Sequence, residues 1–213
     1  MEWALKNLEL IFDLTMTHLW VSLVPLVIGS VIAIFLARIV PRRFAGSVNG
    51  TLGALYAIPS LALFVALPAL IGTNYVGPIN VVIALSLYVV ASMFFSARDA
   101  FSQVPAPAIF IARAQGMSPW QRIIHVELPL AIPGLIAGLR VAAASTVSMA
   151  SIGAVVGVRN LGYLFLDGFQ RKIADEIVTG LFAIFVIAIV LDAGLWFLSK
   201  VLTPWSKKSV QHA

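Results

Sequence analysis

The chain has 213 residues, 61% of them hydrophobic and only 11% charged, with a formal charge of +5. Its mean hydropathy of +1.00 excludes an ordinary water-soluble domain and makes the bilayer its solvent. With no cysteine, disulfides, thiolate metal sites and cysteine nucleophiles are excluded. The basic residues are scattered without an aromatic ladder, which argues against nucleic acid as a partner.

Residues 1–13 are mildly acidic and have no basic stretch before the first apolar run, so no cleaved signal peptide is expected. A helix needs about 20 mostly apolar residues to cross the hydrocarbon layer. Residues 19–37 form an uncharged run and supply the first span. Residues 44–97 hold no Asp, Glu, Lys or Arg, which is too long for one crossing. The turn-rich stretch from Gly72 to Pro78 divides them into spans at 51–71 and 79–97. A fourth span covers 128–158, with Pro133 and Arg140 inside it, and a fifth covers 177–199. The expected fold is all-α and integral to the membrane: one transmembrane domain over 1–213 with five transmembrane helices.

Basic residues orient the spans. One set of connections carries Arg38, Arg42, Arg43, Arg98, Arg113, Arg122, Lys200, Lys207 and Lys208, with Arg140 near that side. The other carries Lys6, Arg159, Arg171 and Lys172. The first set is assigned to the cytoplasm, with the N-terminus outside and the C-terminus cytoplasmic. An odd number of spans requires the same.

The longest cytoplasmic connection runs from Arg98 to about Glu127, and about 105–129 reads as a compact elbow. After Pro105 and Pro107, a short helix is ended by Gly116 in a left-handed conformation. Ser118, Pro119 and Gln121 then occupy the N-cap, N1 and N3 positions of a second helix, forming a capping box. Trp120, Ile123 and Ile124 fall on one face of it, and Gln121, Arg122 and His125 on another. Leu128-Pro129 is expected to turn the chain back to the membrane. From this local pattern alone, the elbow either packs against its own spans or serves as a docking surface.

Within span four, Gly134-x3-Gly138 and Gly153-x3-Gly157 are small-x3-small patterns, suited to close packing within the subunit or at a dimer seam. Ser145, Thr146, Ser148 and Met149 form a polar run at mid-span. Its hydroxyls either bond back to their own helix or line a solute path. Arg140 and Asp192 are ionisable residues within spans. Unpaired charge is costly there, so they are expected to pair between spans four and five; separate snorkelling to the interface is the other reading. The external segment 159–172 reads as a re-entrant or interfacial helix, serving as an anchor, a gate or a docking surface. His18, His125 and His212 are too far apart in sequence to form a metal site.

Gly116, nine residues and then Val126-Glu127-Leu128-Pro129 resemble the EAA signature of binding-protein-dependent ABC importer permeases, EAA-x3-G-x9-I-x-LP. The Glu-Ala-Ala positions hold Phe110, Ile111 and Ala112, so the glutamate is missing. Ala57-Ile58-Pro59-Ser60-Leu61-Ala62-Leu63, Gly116-Met117-Ser118, Ala137-Gly138-Leu139-Arg140 and Asn160-Leu161-Gly162 are similar to the branch that carries glycine betaine, carnitine and choline. The resemblance spans about 15–205.

The resemblance implies a type I importer permease in which the elbow is the coupling helix, docking on an ATPase subunit through Ala112, Gly116, Met117, Ser118, Pro119, Trp120, Arg122, Leu128 and Pro129. Pro59, Ser60, Ser145, Thr146, Ser148 and Met149 are candidates for the translocation path. No phosphate loop of the Gly-x4-Gly-Lys-[Ser/Thr] type is present. The chain is therefore expected to be no enzyme and to hold no cofactor, with ATP and Mg bound by the partner ATPase. The other implied partners are a second permease chain, identical or not, an extracytoplasmic substrate-binding protein and membrane lipid. The implied location is a bacterial or archaeal inner membrane. A permease for methionine or another small solute, and a self-sufficient secondary transporter, are the competing readings.

Overall fold

The computed structural model describes residues 2–204; the basic tail with Lys207, Lys208 and His212 lies outside them. A short helix α1 (Glu2–Lys6) leads into α2 (Leu8–Ile39). At 32 residues, α2 begins well before the uncharged run at residue 19. Glu9 and Asp13 end the apolar stretch, yet a charge on an exposed helix face does not end a helix. Its length of about 48 Å exceeds a hydrocarbon layer of about 30 Å.

The second span differs from expectation. Residues 51–71 do not form one straight crossing: α3 (Arg42–Ala57) and α4 (Ser60–Ile71) meet at 103°. Pro59 has no N–H to donate and disfavours helical geometry at the residue before it, and Ile58 is extended at ψ 131. The freed Ile58 carbonyl accepts the Tyr88 hydroxyl. The 12 residues of α4 reach only about 18 Å, too short to cross alone. Among the described residues, four helices are long and apolar enough to span, or five if the bent pair counts as one.

Helix α5 (Pro78–Ser102) follows, then the short α6 (Ala106–Ala114) and α7 (Pro119–Arg122). Here too the structure departs from expectation, because Leu128-Pro129 does not turn the chain. A wide turn over Ile123–Glu127 joins α7 directly to α8 (Leu128–Ala150), with the Leu128 N–H reaching the Ile123 carbonyl five residues back. Proline lacks a donor and its ring crowds the carbonyl four residues earlier. A π turn immediately before Pro129 absorbs both effects within a continuous helix. A tightened turn over Ser151–Val156 ends this rod, and α9 (Tyr163–Arg171) and α10 (Ala174–Leu202) complete the chain.

Helix α5 is the centre of the bundle. Its most apolar stretch is 61% buried, whereas that of α10 is 6% buried. Val81, Leu85, Val89, Met93 and Phe94 on α5 are enclosed, chiefly between α2 and α8. Lipid tails are as apolar as leucine, so close packing rather than water exclusion must hold spanning helices together. The Gly134-x3-Gly138 pattern serves that purpose inside the chain. A Cβ on Gly134 would sit 2.8 Å from the Ala100 Cβ, and one on Gly138 would overlap Ser96.

Candidate functional site

The elbow is built from local signals. Gly116 has φ +76, in the left-handed region. The Met117 N–H bonds the Ala112 carbonyl at 3.1 Å and the Gly116 N–H bonds the Arg113 carbonyl at 3.0 Å. This pair closes the end of α6 as a Schellman motif. Two residues later the next helix starts: the Gln121 N–H donates to the Ser118 hydroxyl, and the Ser118 N–H to the Gln121 side chain at 2.8 Å. Pro119 occupies the first helical position, where its missing donor costs nothing. One helix thus ends and the next begins within four residues, Gln115 to Ser118. Ala112 is buried at 2% exposure, while Phe110, Ile111, Trp120 and Ile124 are 72%, 54%, 59% and 54% exposed.

Arg122 parts from Gln121 and His125, with which its spacing grouped it and which are both exposed. Its side chain turns inward, 13% exposed, and donates to Glu127 at 2.6 Å. Glu127, 7% exposed, also accepts two bonds from Arg38 at the end of α2, at 2.8 and 3.1 Å. Bidentate pairing of this kind is strong and directional. One carboxylate therefore fastens the elbow to a helix that lies 89 residues away in sequence. The sequence places Glu127 within the signature but assigns it no partner. The available signal was the lone acidic residue of the 105–129 stretch, two positions before Pro129 in a connection otherwise rich in arginine. His125 points outward and bonds only the Gln121 carbonyl, at 2.9 Å.

The candidate path residues separate into two groups. Thr146 is buried and its hydroxyl donates to the Ala142 carbonyl at 2.7 Å, and Met149 packs into the core beside Val21 and Leu85. Ser148 is exposed and Ser145 half-buried, on the side of α8 left open with Val141 and Ala144. Pro59 and Ser60 stand at the 103° break, Pro59 exposed and Ser60 half-buried.

Arg140 and Asp192 meet between α8 and α10, with Nε and Nη2 donating to the two carboxylate oxygens at 2.6 and 2.7 Å. At the far end of α8, Asn160 donates to the Ala150 carbonyl at 2.8 Å and accepts from the Gly162 N–H at 2.7 Å. His18, fully buried, bonds the Val147 carbonyl at 3.1 Å. These side chains satisfy carbonyls of the last turn of α8, which a helix end leaves without internal donors. Beyond them α9 buries Leu164 and exposes Phe169. The Arg171 guanidinium donates to Asp167 at 2.9 Å and holds that carboxyl below the usual carboxylate range.

These features describe a multi-pass membrane protein with a capped elbow rigidly joined to one spanning helix. Residues 14–208 match the sequence profile of the binding-protein-dependent transport system inner membrane component, and the chain belongs to that family. It is 32% identical to the osmoprotectant import permease protein OsmW of Salmonella typhimurium, over 95% of this chain and 96% of that one. It is 29% identical to the glycine betaine/carnitine/choline transport system permease protein OpuCB of Bacillus subtilis, over 92% and 89% of the two chains. Among solved structures, it superposes on a chain of the inward-facing MetNI methionine ABC transporter with a TM-score of 0.81, at 20% identity, over 93% of this chain and 98% of that one. At that identity the likeness concerns the fold.

Proposed function

We propose that this chain is the membrane-spanning permease subunit of an ATP-binding-cassette importer of a bacterial inner membrane, and that its cargo is a compatible solute such as glycine betaine, carnitine or choline. The observation that carries this reading is the end-to-end relationship to an osmoprotectant permease. The chain's own residues supply the parts such a subunit needs. The elbow at about 105–129 presents Phe110, Ile111, Trp120 and Ile124 as an apolar docking face for the ATPase subunit. Apolar contact there takes the place of the ion pair that the missing EAA glutamate would make.

ATP and Mg belong to that ATPase. Closure of two ATPase subunits would draw two elbows together and rock the spans between inward-open and outward-open states. This requires a second permease chain beside the open faces of α3, α4 and α8, with the solute passing between the two. The N-terminus lies outside, the elbow in the cytoplasm, and α9 on the side where a binding protein delivers the solute.

Co-purification of the tagged chain with the products of neighbouring genes tests the assembly. Recovery of an ATPase with the native chain but not with Gly116→Asp supports docking at the elbow. Reconstituted with ATPase and binding protein, the complex should accumulate labelled glycine betaine, carnitine or choline in an ATP-dependent way. Uptake of methionine in place of all three would overturn the cargo.

A further inference from the structure

We propose that the cleft where α2, α5, α6 and α7 meet binds the headgroup of an anionic phospholipid, an inference that rests on the cytoplasmic placement of the elbow given above. The cleft encloses about 230 Å³ and is lined by Arg38, Arg98, Arg113 and Arg122, with Glu127 the one carboxylate on its wall. Glu127 occupies Arg38 and Arg122. The other two guanidiniums have no carboxylate partner among the described residues. Arg98 donates to the Val40 carbonyl at 3.3 Å and lies 5.7 Å from the centre of the Phe94 ring. Arg113 is exposed and has no hydrogen-bonded or ionic partner among the described residues.

Four guanidiniums around one carboxylate repel one another, and an oxyanion held among them relieves that repulsion. A phosphate diester suits the site chemically, because guanidinium forks match phosphate oxygens two at a time. The surroundings favour a lipid over a soluble anion. Val40, Phe101 and Ile109 form an apolar wall beside the charges. The cleft also sits where α2 and α5, both apolar enough to span, come to an end. Basic clefts between spanning helices on the cytoplasmic side suit anionic headgroups. With Arg38 on α2 and Arg122 on the elbow, a seated headgroup would bridge the elbow to the bundle.

The test is a lipid titration of the detergent-solubilised importer complex by native mass spectrometry. The probes are dioleoylphosphatidylglycerol, dioleoylphosphatidylcholine as neutral control, and inorganic phosphate as competitor. The native chain should retain phosphatidylglycerol in preference to phosphatidylcholine. Each arginine near an anionic group contributes about a factor of five in affinity, so Arg98→Gln combined with Arg113→Gln should weaken binding about thirtyfold. Arg113→Gln alone, at an exposed residue that nothing in the fold depends on, should weaken it about fivefold. The paired lysine replacements keep the charge but lose the forked donors, and should fall between the native chain and the glutamine pair.

Equal retention of both lipids, or unchanged phosphatidylglycerol binding in the glutamine variants, would refute the site. Displacement of the lipid by an equal concentration of inorganic phosphate would refute the lipid and leave a free-anion site. None of these readouts requires transport, so solute uptake by the same preparation reports separately on the importer reading.

Discussion

Arg140 and Asp192 form a two-bond fork between α8 and α10, 52 residues apart in sequence and both on helices apolar enough to span. Their side chains are 38% and 47% exposed in the single chain, so the pair is not sealed inside the bundle. Lipid or a second chain must therefore meet a charge pair that has already neutralised itself. Asp192→Asn would leave a guanidinium in apolar surroundings with half its anchor. The expected outcome is a lower melting temperature in detergent and a lower yield of assembled complex. The exchanged pair Arg140→Asp with Asp192→Arg should recover part of both. If Asp192→Asn melts like the native chain, the fork contributes nothing to holding α8 on α10.

Gly116 and Lys172 adopt the same left-handed backbone, at φ +76 and +58, with opposite expectations. A Cβ on Gly116 meets nothing within 4 Å, so Gly116→Ala should cost only the backbone penalty of about 1 kcal/mol. Lys172 already bears that penalty at the end of α9. Lys172→Gly should therefore stabilise the chain by up to about 1 kcal/mol. Thermal unfolding of the two variants in one detergent, set against the native chain, checks both signs at once.

Glu127→Gln removes the charge that holds Arg38 and Arg122 while keeping the shape of the side chain. Loss of charge-assisted bonds at a largely enclosed carboxylate should cost on the order of 2 kcal/mol. The elbow should loosen before the bundle does. Hydrogen exchange should rise first in the Arg122–Glu127 turn and at the end of α2, with the centre of α5 little changed. Uniform loss of protection across all helices would mean that Glu127 supports the whole fold rather than the elbow root.

Asp167 supplies a pH dependence with a definite sign. The hydrogen bond from Arg171 lowers its folded-state value below the usual 3.8. A carboxylate lowered on folding contributes stability that is fully present above its unfolded value and is lost as pH falls through the folded one. The native chain should therefore exceed Asp167→Asn in stability at neutral pH. The difference should begin to shrink as pH drops below about 4 and vanish once the folded-state carboxyl is protonated. A gap that persists unchanged under acidic conditions would assign the effect to something other than this ion pair.

Local features of the elbow were legible in the sequence because their determinants lie within a few residues of one another. Ser118, Pro119 and Gln121 specify a helix start, and Gly116 a helix end, whatever the rest of the chain does. The Arg140–Asp192 pair was legible for a different reason: a bilayer leaves two opposite charges few other ways to be satisfied. The inward turn of Arg122 was not legible, since it depends on Arg38, far away in sequence, reaching the same carboxylate. The 103° break at Ile58–Pro59 was hidden by hydropathy, which registers apolar length and not backbone geometry. The proline itself was the available sign, because the residue before it resists helix. Pro129 misled in the opposite direction, since a single wide turn lets a helix pass through it.

That wide turn has a mechanical consequence. From Pro119 to Val156 the backbone is one uninterrupted 38-residue rod, about 57 Å long. A push on the exposed ring of Trp120 meets no slack joint before Ala150. With Gly134 and Gly138 pressed against α5, the rod carries a displacement of the elbow along the bundle instead of absorbing it in a loop. At the far end of the rod, beside Ser148, His18 of α2 and Asn160 hold the last carbonyls of α8, so the elbow and this polar knot are the two ends of one stiff element.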